Sequence, residues 1–226
     1  RHHTQMRSPT VHTPVLAAEV LHWLNPQPGQ VILDGTLGGG GHARMLAERV
    51  GANGRVVALD RDPAALARAE QSLSGLPVMI AQSNFCDAAE VLAEIGIKSV
   101  DGILLDLGLS SDQLADDERG FGFDSDGLLD LRFDAEQGEP AWRRRERMRE
   151  GDLADVIYQF GEERNSRRIA REIVNRRKND PVRTAQQLSE LVRRCMPRSK
   201  GPQRIHPATR TFQALRIAVN EELRSL

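Results

Sequence analysis

The segment Val31-Ile32-Leu33-Asp34-Gly35-Thr36-Leu37-Gly38-Gly39-Gly40-Gly41-His42 constrains the fold more than any other stretch of the chain. A short apolar run ends in an acid and meets a glycine-rich loop, and a helical pattern resumes over 42–50. Glycines let such a loop turn sharply and let a ligand approach the backbone without Cβ collisions. Four in a row cost backbone entropy with no packing return, which argues against a merely structural turn. The same rhythm recurs downstream. Val56-Val57-Ala58-Leu59 runs into Asp60, Val78-Met79-Ile80 follows, and Val100 to Leu105 runs into Asp106. Helices are predicted between these strands, over 63–73 from Pro63 and over 87–95. Short, wholly apolar strands alternating with helices imply an α/β fold, with a parallel sheet covered on both faces.

A helix is also predicted over 13–24, capped by Thr13 with Pro14 in its first turn. After Asp106 the pattern changes. Residues 107–140, rich in Gly and Asp, read as an ordered loop, and helices are predicted over 152–160, 164–178, 184–195 and 208–224. Thr184 and Gln187 have the spacing of a capping box. Charge divides along the same line. Residues 1–106 carry 8 Lys/Arg against 11 Asp/Glu, whereas residues 164–216 carry 15 against 3, nearly all of them arginine. An arginine-rich helical segment with so few acids points to a polyanion partner, because the guanidinium makes bidentate phosphate contacts. The 226 residues suffice for one large domain, or for one domain carrying a second, smaller one. No run approaches the length of a membrane span, and the first residues lack the apolar stretch of a signal peptide. Residues 1–5 read as a foreign leader before Met6, and a cytoplasmic protein is expected. Cys86 and Cys195 have no metal-site spacing and read as isolated buried thiols in a reducing compartment.

Ligands of open parallel sheets bind beyond the carboxyl ends of the strands. Asp34, Asp60 and Asp106 are therefore expected along one edge, with Gly38, Gly40 and Gly41 approaching the ligand. Asp60 follows Gly40 by the spacing at which an acid accepts hydrogen bonds from ribose hydroxyls. The loop alone leaves two cofactors open, since Gly38-Gly39-Gly40-Gly41-His42-Ala43 also satisfies a dinucleotide fingerprint. An acid at Asp34 favours the cationic methionine portion of S-adenosylmethionine and would repel a pyrophosphate. A nicotinamide-dependent oxidoreductase stays as the enzyme alternative, and an RNA-binding module without activity as the non-enzyme one. Phe85 is placed to stack on an adenine or to fill the core.

Several blocks, in one order along the chain, resemble the bacterial 16S ribosomal RNA cytosine-N4 methyltransferases. They are His12-Thr13-Pro14-Val15-Leu16, the loop from Asp34 to His42, Asp60-Arg61-Asp62-Pro63, and Asp101 to Gly108 with Ser110, Ser111 and Gln113. Glu118-Arg119-Gly120-Phe121, Gly161-Glu162-Glu163-Arg164 and His206 to Ile217 complete the set. The resemblance implies a Rossmann-like S-adenosylmethionine methyltransferase sheet with a helical insertion domain. It divides the chain into a tail (1–11), the core (12–106), a loop and helical insertion (107–205), and a helix returning to the core (206–226). It implies cofactor contacts from Gly40, Gly41, His42, Asp60, Phe85, Asp106 and Gln113, in addition to Asp34 and Gly38. Arg119, Phe121, His206, Arg210, Phe212 and Arg216 would face 16S rRNA of the small subunit, with Phe121, Phe123 or Phe212 stacking on the target base. Asp106 is the candidate catalytic residue, accepting hydrogen bonds from the cytosine amine. No metal is called for, no membrane contact is expected, and a homodimer is a candidate assembly. Residues 139–150 depart from the family pattern. Family members also continue with further sheet elements, so the chain is expected to lack their C-terminal part.

Overall fold

The computed structural model describes residues 14–197 and 205–224. The chain forms two compact units, one ending at Gly108 and the other starting at Leu109.

The first unit is the expected alternation. Strands β1 (Val31–Asp34), β2 (Arg55–Asp60), β3 (Val78–Gln82) and β4 (Gly102–Leu104) form one sheet in the order β3-β2-β1-β4. All pairings are parallel. Helix α1 spans Ala17–Leu24, α2 Gly41–Val50, α3 Pro63–Ser72 and α4 Ala88–Glu94, the last preceded by a 3₁₀ turn over Phe85–Asp87. Residues alternate along β1 and β2, whose two faces are both covered, whereas β4 leaves Ile103 56 % exposed. Ile32, Val56 and Ala58 pack with Leu46, Val50 and Leu66 of α2 and α3. Leu33, Val57 and Leu59 pack with Ala88, Val91 and Leu92 of α4. This is why the strands read as continuous apolar runs.

Strand and helix bounds shift by a few residues. β4 ends at Leu104, which leaves Asp106 two residues beyond it in the following loop. α1 begins at Ala17, after Leu16 in the left-handed conformation (φ 52°). Pro14 therefore lies before the helix, and the cap expected at Thr13 falls outside the described residues. Asp62 caps α3, accepting from the Ala64 N–H at 2.9 Å. Cys195 is buried as expected, but Cys86 is exposed on the 3₁₀ turn.

The second unit is helical. α5 is Ser111–Leu114, α6 Ala141–Arg147, α7 Glu150–Gly161, α8 Ser166–Arg176, α9 Ala185–Cys195 and α10 Thr209–Asn220. The capping box is present: Thr184 accepts from the Gln187 N–H, and Gln187 accepts from the Thr184 N–H. α6 falls outside the predicted helices, in the arginine-rich stretch that departs from the family pattern. The last helix, expected to return to the sheet, packs on α7 within this unit. The core joins Leu153 and Ile157 of α7 to Ile169 and Ile173 of α8, Leu188 and Val192 of α9, and Leu215 of α10. The long loop is ordered because it contributes Phe121, Leu129 and Leu131 to that core.

Asn220 ties the loop to α10. Its amide donates to Leu131 O at 2.7 Å and Arg216 O at 2.9 Å, and its oxygen accepts from Phe133 N at 2.8 Å. Asn220 is 3 % exposed, so water cannot replace these bonds. Asn220→Ala is expected to cost about 2–3 kcal/mol in urea denaturation. A loss below about 0.5 kcal/mol would show that the loop is held elsewhere.

Candidate cofactor site at the strand ends

β1 and β2 deliver Asp34 and Asp60 to one edge of the sheet, and the loop after β4 brings Asp106 there. The order places β1 between β2 and β4, so chain connections diverge to opposite sides at β1, the switch point where open α/β sheets bind ligands. Asp34 is completely buried. Its Oδ1 accepts from Thr36 N at 3.1 Å, while its Oδ2 is sealed from solvent without a hydrogen-bond partner. Burial pushes its carboxyl up to about 6, against the opposing pull of the Thr36 N–H and of His42. Burial also raises Asp60, although its carboxylate is well bonded. Asp60 Oδ2 accepts from Gly38 N at 2.7 Å and its Oδ1 from Asp62 N at 2.9 Å.

The loop is thus clamped from below. Gly35 N donates to Leu104 O at 3.0 Å and Leu37 N to Leu59 O at 2.9 Å, which fastens it to strands on both sides of β1. Gly38 (φ 50°) and Gly40 (φ 79°) take left-handed conformations, which explains glycine at these positions. Gly40 ends the loop and Gly41 begins α2.

His42 is 7 % exposed, and its Nε2 lies 2.9 Å from Val15 O, which fixes that nitrogen as the donor. Its Nδ1 is 3.8 Å from Asp106 Oδ2, too far for a hydrogen bond. The Asp106 side chain is 48 % exposed, and its backbone N–H donates to Thr36 Oγ1 at 2.7 Å. Thr36 therefore connects the buried acid to the exposed one. Sequence reasoning passes over Thr36 and Val15. The hint for Thr36 is its place two residues after a strand-end acid, the spacing of an Asx turn. The Val15 contact runs through a backbone carbonyl and leaves no mark in the sequence. Phe85 is half-buried on the 3₁₀ turn, where its Cβ and Leu105 crowd Gly35 closely enough to exclude a side chain there.

The remaining residues lie in the second unit. Gln113 is buried and accepts from Ser110 N at 3.0 Å, while Ser110 Oγ accepts from Gln113 N at 3.1 Å. Its side chain is engaged in this reciprocal cap of α5. Phe121 is 2 % exposed, stacked on Phe133 and covered by the Arg119 guanidinium. Phe212 is 6 % exposed and meets Phe123 edge-on, and Phe123 stacks on His206 with centroids 4.3 Å apart. Phe121 and Phe212 are thus core side chains and present no open face to a base. Arg119 is paired with Asp116 at 2.7 Å and Arg216 with Glu222 at 2.8 Å, whereas Arg210 reaches Glu162 O at 3.3 Å. Among the described residues, no cluster of His, Cys, Asp or Glu has the makings of a metal site.

An edge carrying three carboxylates, one of them desolvated and with an oxygen that has no donor, fits a cationic ligand and opposes a diphosphate. The profile of the MraW methylase family matches residues 9–226. The chain belongs to this family. It is 50% identical to the ribosomal RNA small subunit methyltransferase H of Trichlorobacter lovleyi, over 94% of this chain and 68% of that protein. Its identity to the protein of the same description from Syntrophotalea carbinolica is also 50%, over 95% and 69%. The Geobacter sulfurreducens counterpart is 48% identical over 95% and 70%. Membership of the family sets the nicotinamide alternative aside, in agreement with the acidic edge.

Proposed function

We propose that this chain transfers a methyl group from S-adenosylmethionine to the exocyclic N4 of a cytosine in 16S rRNA of the small ribosomal subunit. The acidic edge over a glycine loop, in a chain of the MraW methylase family, carries this reading. S-adenosylmethionine supplies an activated methyl on a positively charged sulfonium. Gly38, Gly40 and Gly41 give the backbone room beside it, and Asp34 contributes negative charge from beneath the loop. Asp60 has lone pairs beyond those used by Gly38 and Asp62, and these accept ribose hydroxyls. Phe85 borders the adenine. Asp106, the most accessible of the three acids, accepts hydrogen bonds from the target amine and so localises its lone pair. The base must leave its stack to reach that position.

Residues 12–106 form the methyltransferase core, the segment after it the helical domain, and the setting is the cytoplasm. No described helix is long and apolar enough to cross a membrane. The direct test is transfer of labelled methyl from S-adenosylmethionine to small subunits isolated from cells lacking this modification. Label in cytosine N4 is the expected result, and label in another base or none would overturn the assignment.

Asp60→Ala is expected to weaken S-adenosylmethionine binding at least tenfold in calorimetry, since both the ribose acceptor and the anchor of Gly38 are lost. Unchanged affinity would remove Asp60 from the site.

A further inference from the structure

The arginines expected to meet RNA are engaged elsewhere: Arg119 and Arg216 in ion pairs, Arg210 on a backbone carbonyl. A different set stands on the surface of the helical unit. Arg164, just before α8, and Arg167, Arg168 and Arg171 on it follow the 3-4 spacing of one helical face, and all four are exposed. The opposite face, Ile169, Ala170 and Ile173, is fully buried, so the row is held on a rigid support. Asn165 Nδ2 lies 3.3 Å from Met196 Sδ, which brings the start of α8 to the end of α9, where Arg193 is also exposed.

The acids of this region leave the row uncompensated. Arg171 reaches Glu150 at 3.6 Å and Arg194 reaches Glu190 at 3.7 Å. Glu163 is buried and accepts from both nitrogens of Asn165. Glu172 lies on α8, half-buried, and Glu162 is exposed ahead of it. Arg164, Arg167, Arg168 and Arg193 make no ion pair with any described residue. The placement of Arg164, Arg167 and Arg168 does not serve α8, since cations at a helix start oppose its dipole. The other arginine group, around Trp142, differs: Arg183 is paired with Glu146 at 3.7 Å and Arg147 with Glu139 at 3.3 Å.

We infer that the exposed row Arg164, Arg167, Arg168 and Arg193, at the joined ends of α8 and α9, is the surface on which this protein docks the phosphate backbone of RNA. The inference rests on the RNA reading of function, and it moves the contact away from the residues that the family resemblance suggested. Exposed guanidiniums without carboxylates release counterions when phosphates replace them, which gives a salt-dependent, sequence-independent affinity. The base is read elsewhere, and the row holds the strand.

The test is fluorescence anisotropy of the full chain with a labelled RNA oligonucleotide of mixed sequence, across a salt series. The Arg→Gln variant at positions 164, 167, 168 and 193 is expected to lose at least tenfold in affinity near 0.1 M salt. Its logarithmic salt slope is expected to fall by about 3, at roughly 0.7–0.9 per phosphate contact. The Arg→Lys variant at the same positions keeps the charge and should retain most of the affinity. Calorimetric binding of S-adenosylhomocysteine should be unchanged in both. Equal affinity and slope in the Gln variant would overturn the proposal, as would absence of RNA binding by the unaltered chain. Methyl transfer is read separately. If the unaltered chain binds RNA through the row but methylates nothing, the docking surface stands and the proposed reaction falls. If it methylates subunits and the Gln variant does so equally at limiting RNA, the reaction stands and the row falls.

Discussion

Replacing Asp34 by asparagine is expected to raise the stability of the protein and lower its affinity for S-adenosylmethionine. The two effects share one cause. The Asp34 carboxyl is pushed up to about 6 because burial strips its solvation, and its Oδ2 has no donor. A group whose folded pKa lies above its unfolded value of 3.8 holds its proton more tightly in the folded state. Stability therefore falls as pH rises from about 4 to about 6, and above that range the full cost of ionising Asp34 is present. That cost is about 3 kcal/mol. Asparagine cannot ionise, and it retains the oxygen that accepts from Thr36. Thermal unfolding of Asp34→Asn should thus occur several degrees higher at pH 7.5, with the gain vanishing near pH 4.

Affinity moves the other way. A carboxylate sealed beneath the loop acts on a cation above it through protein rather than water. Between partly buried charges an effective dielectric of about 20 makes such an attraction worth on the order of 1–2 kcal/mol, or about tenfold in affinity. S-adenosylmethionine binding should also weaken as pH falls through about 6 in the unaltered protein, and Asp34→Asn should lose that dependence. If the variant binds as tightly and with the same pH profile, the charge of Asp34 has no part in holding the cofactor.

The parts of this site that show in the sequence are those with a compositional mark. An apolar strand running into an acid exposes β1 with Asp34 and β2 with Asp60, because wholly buried parallel strands must be apolar throughout and their ends polar. Paired left-handed positions expose Gly38 and Gly40. The hidden parts act through the backbone or through tertiary competition. The Val15 carbonyl that orients His42 has no side-chain signature. The family resemblance turns Phe121 and Phe212 toward RNA, but the helical unit needs them for its core. Arg216 looks free until Glu222 closes on it across the end of α10. Burial turns on which groups meet, and Phe123 meets His206 and Phe212 from far along the chain. The capping box at Thr184 is local, and it is legible for that reason.

Gly161→Ala and Gly151→Ala, both in α7, are expected to change stability in opposite directions. A glycine inside a helix costs roughly 0.5–1 kcal/mol relative to alanine, through the entropy of the unfolded chain. At Gly151 an added Cβ would meet nothing within 4 Å, so Gly151→Ala should gain up to about that amount. At Gly161 the Cβ would run into the carbonyl oxygen of Arg210 and sit 3.0 Å from the Cβ of Ala214. Both belong to α10, the helix packed against α7, and neither is the end of a flexible side chain that could swing aside. The helices must then separate. This opens the core that Ile157 shares with Leu215, and it breaks the contact of Arg210 Nη1 with Glu162 O. Overpacking against backbone costs about 3 kcal/mol or more, which outweighs the entropic gain. Urea denaturation of the two variants beside the unaltered chain decides the matter. A gain at both positions would mean that α10 yields readily, and that the close approach at Gly161 is incidental to the stability of the helical unit.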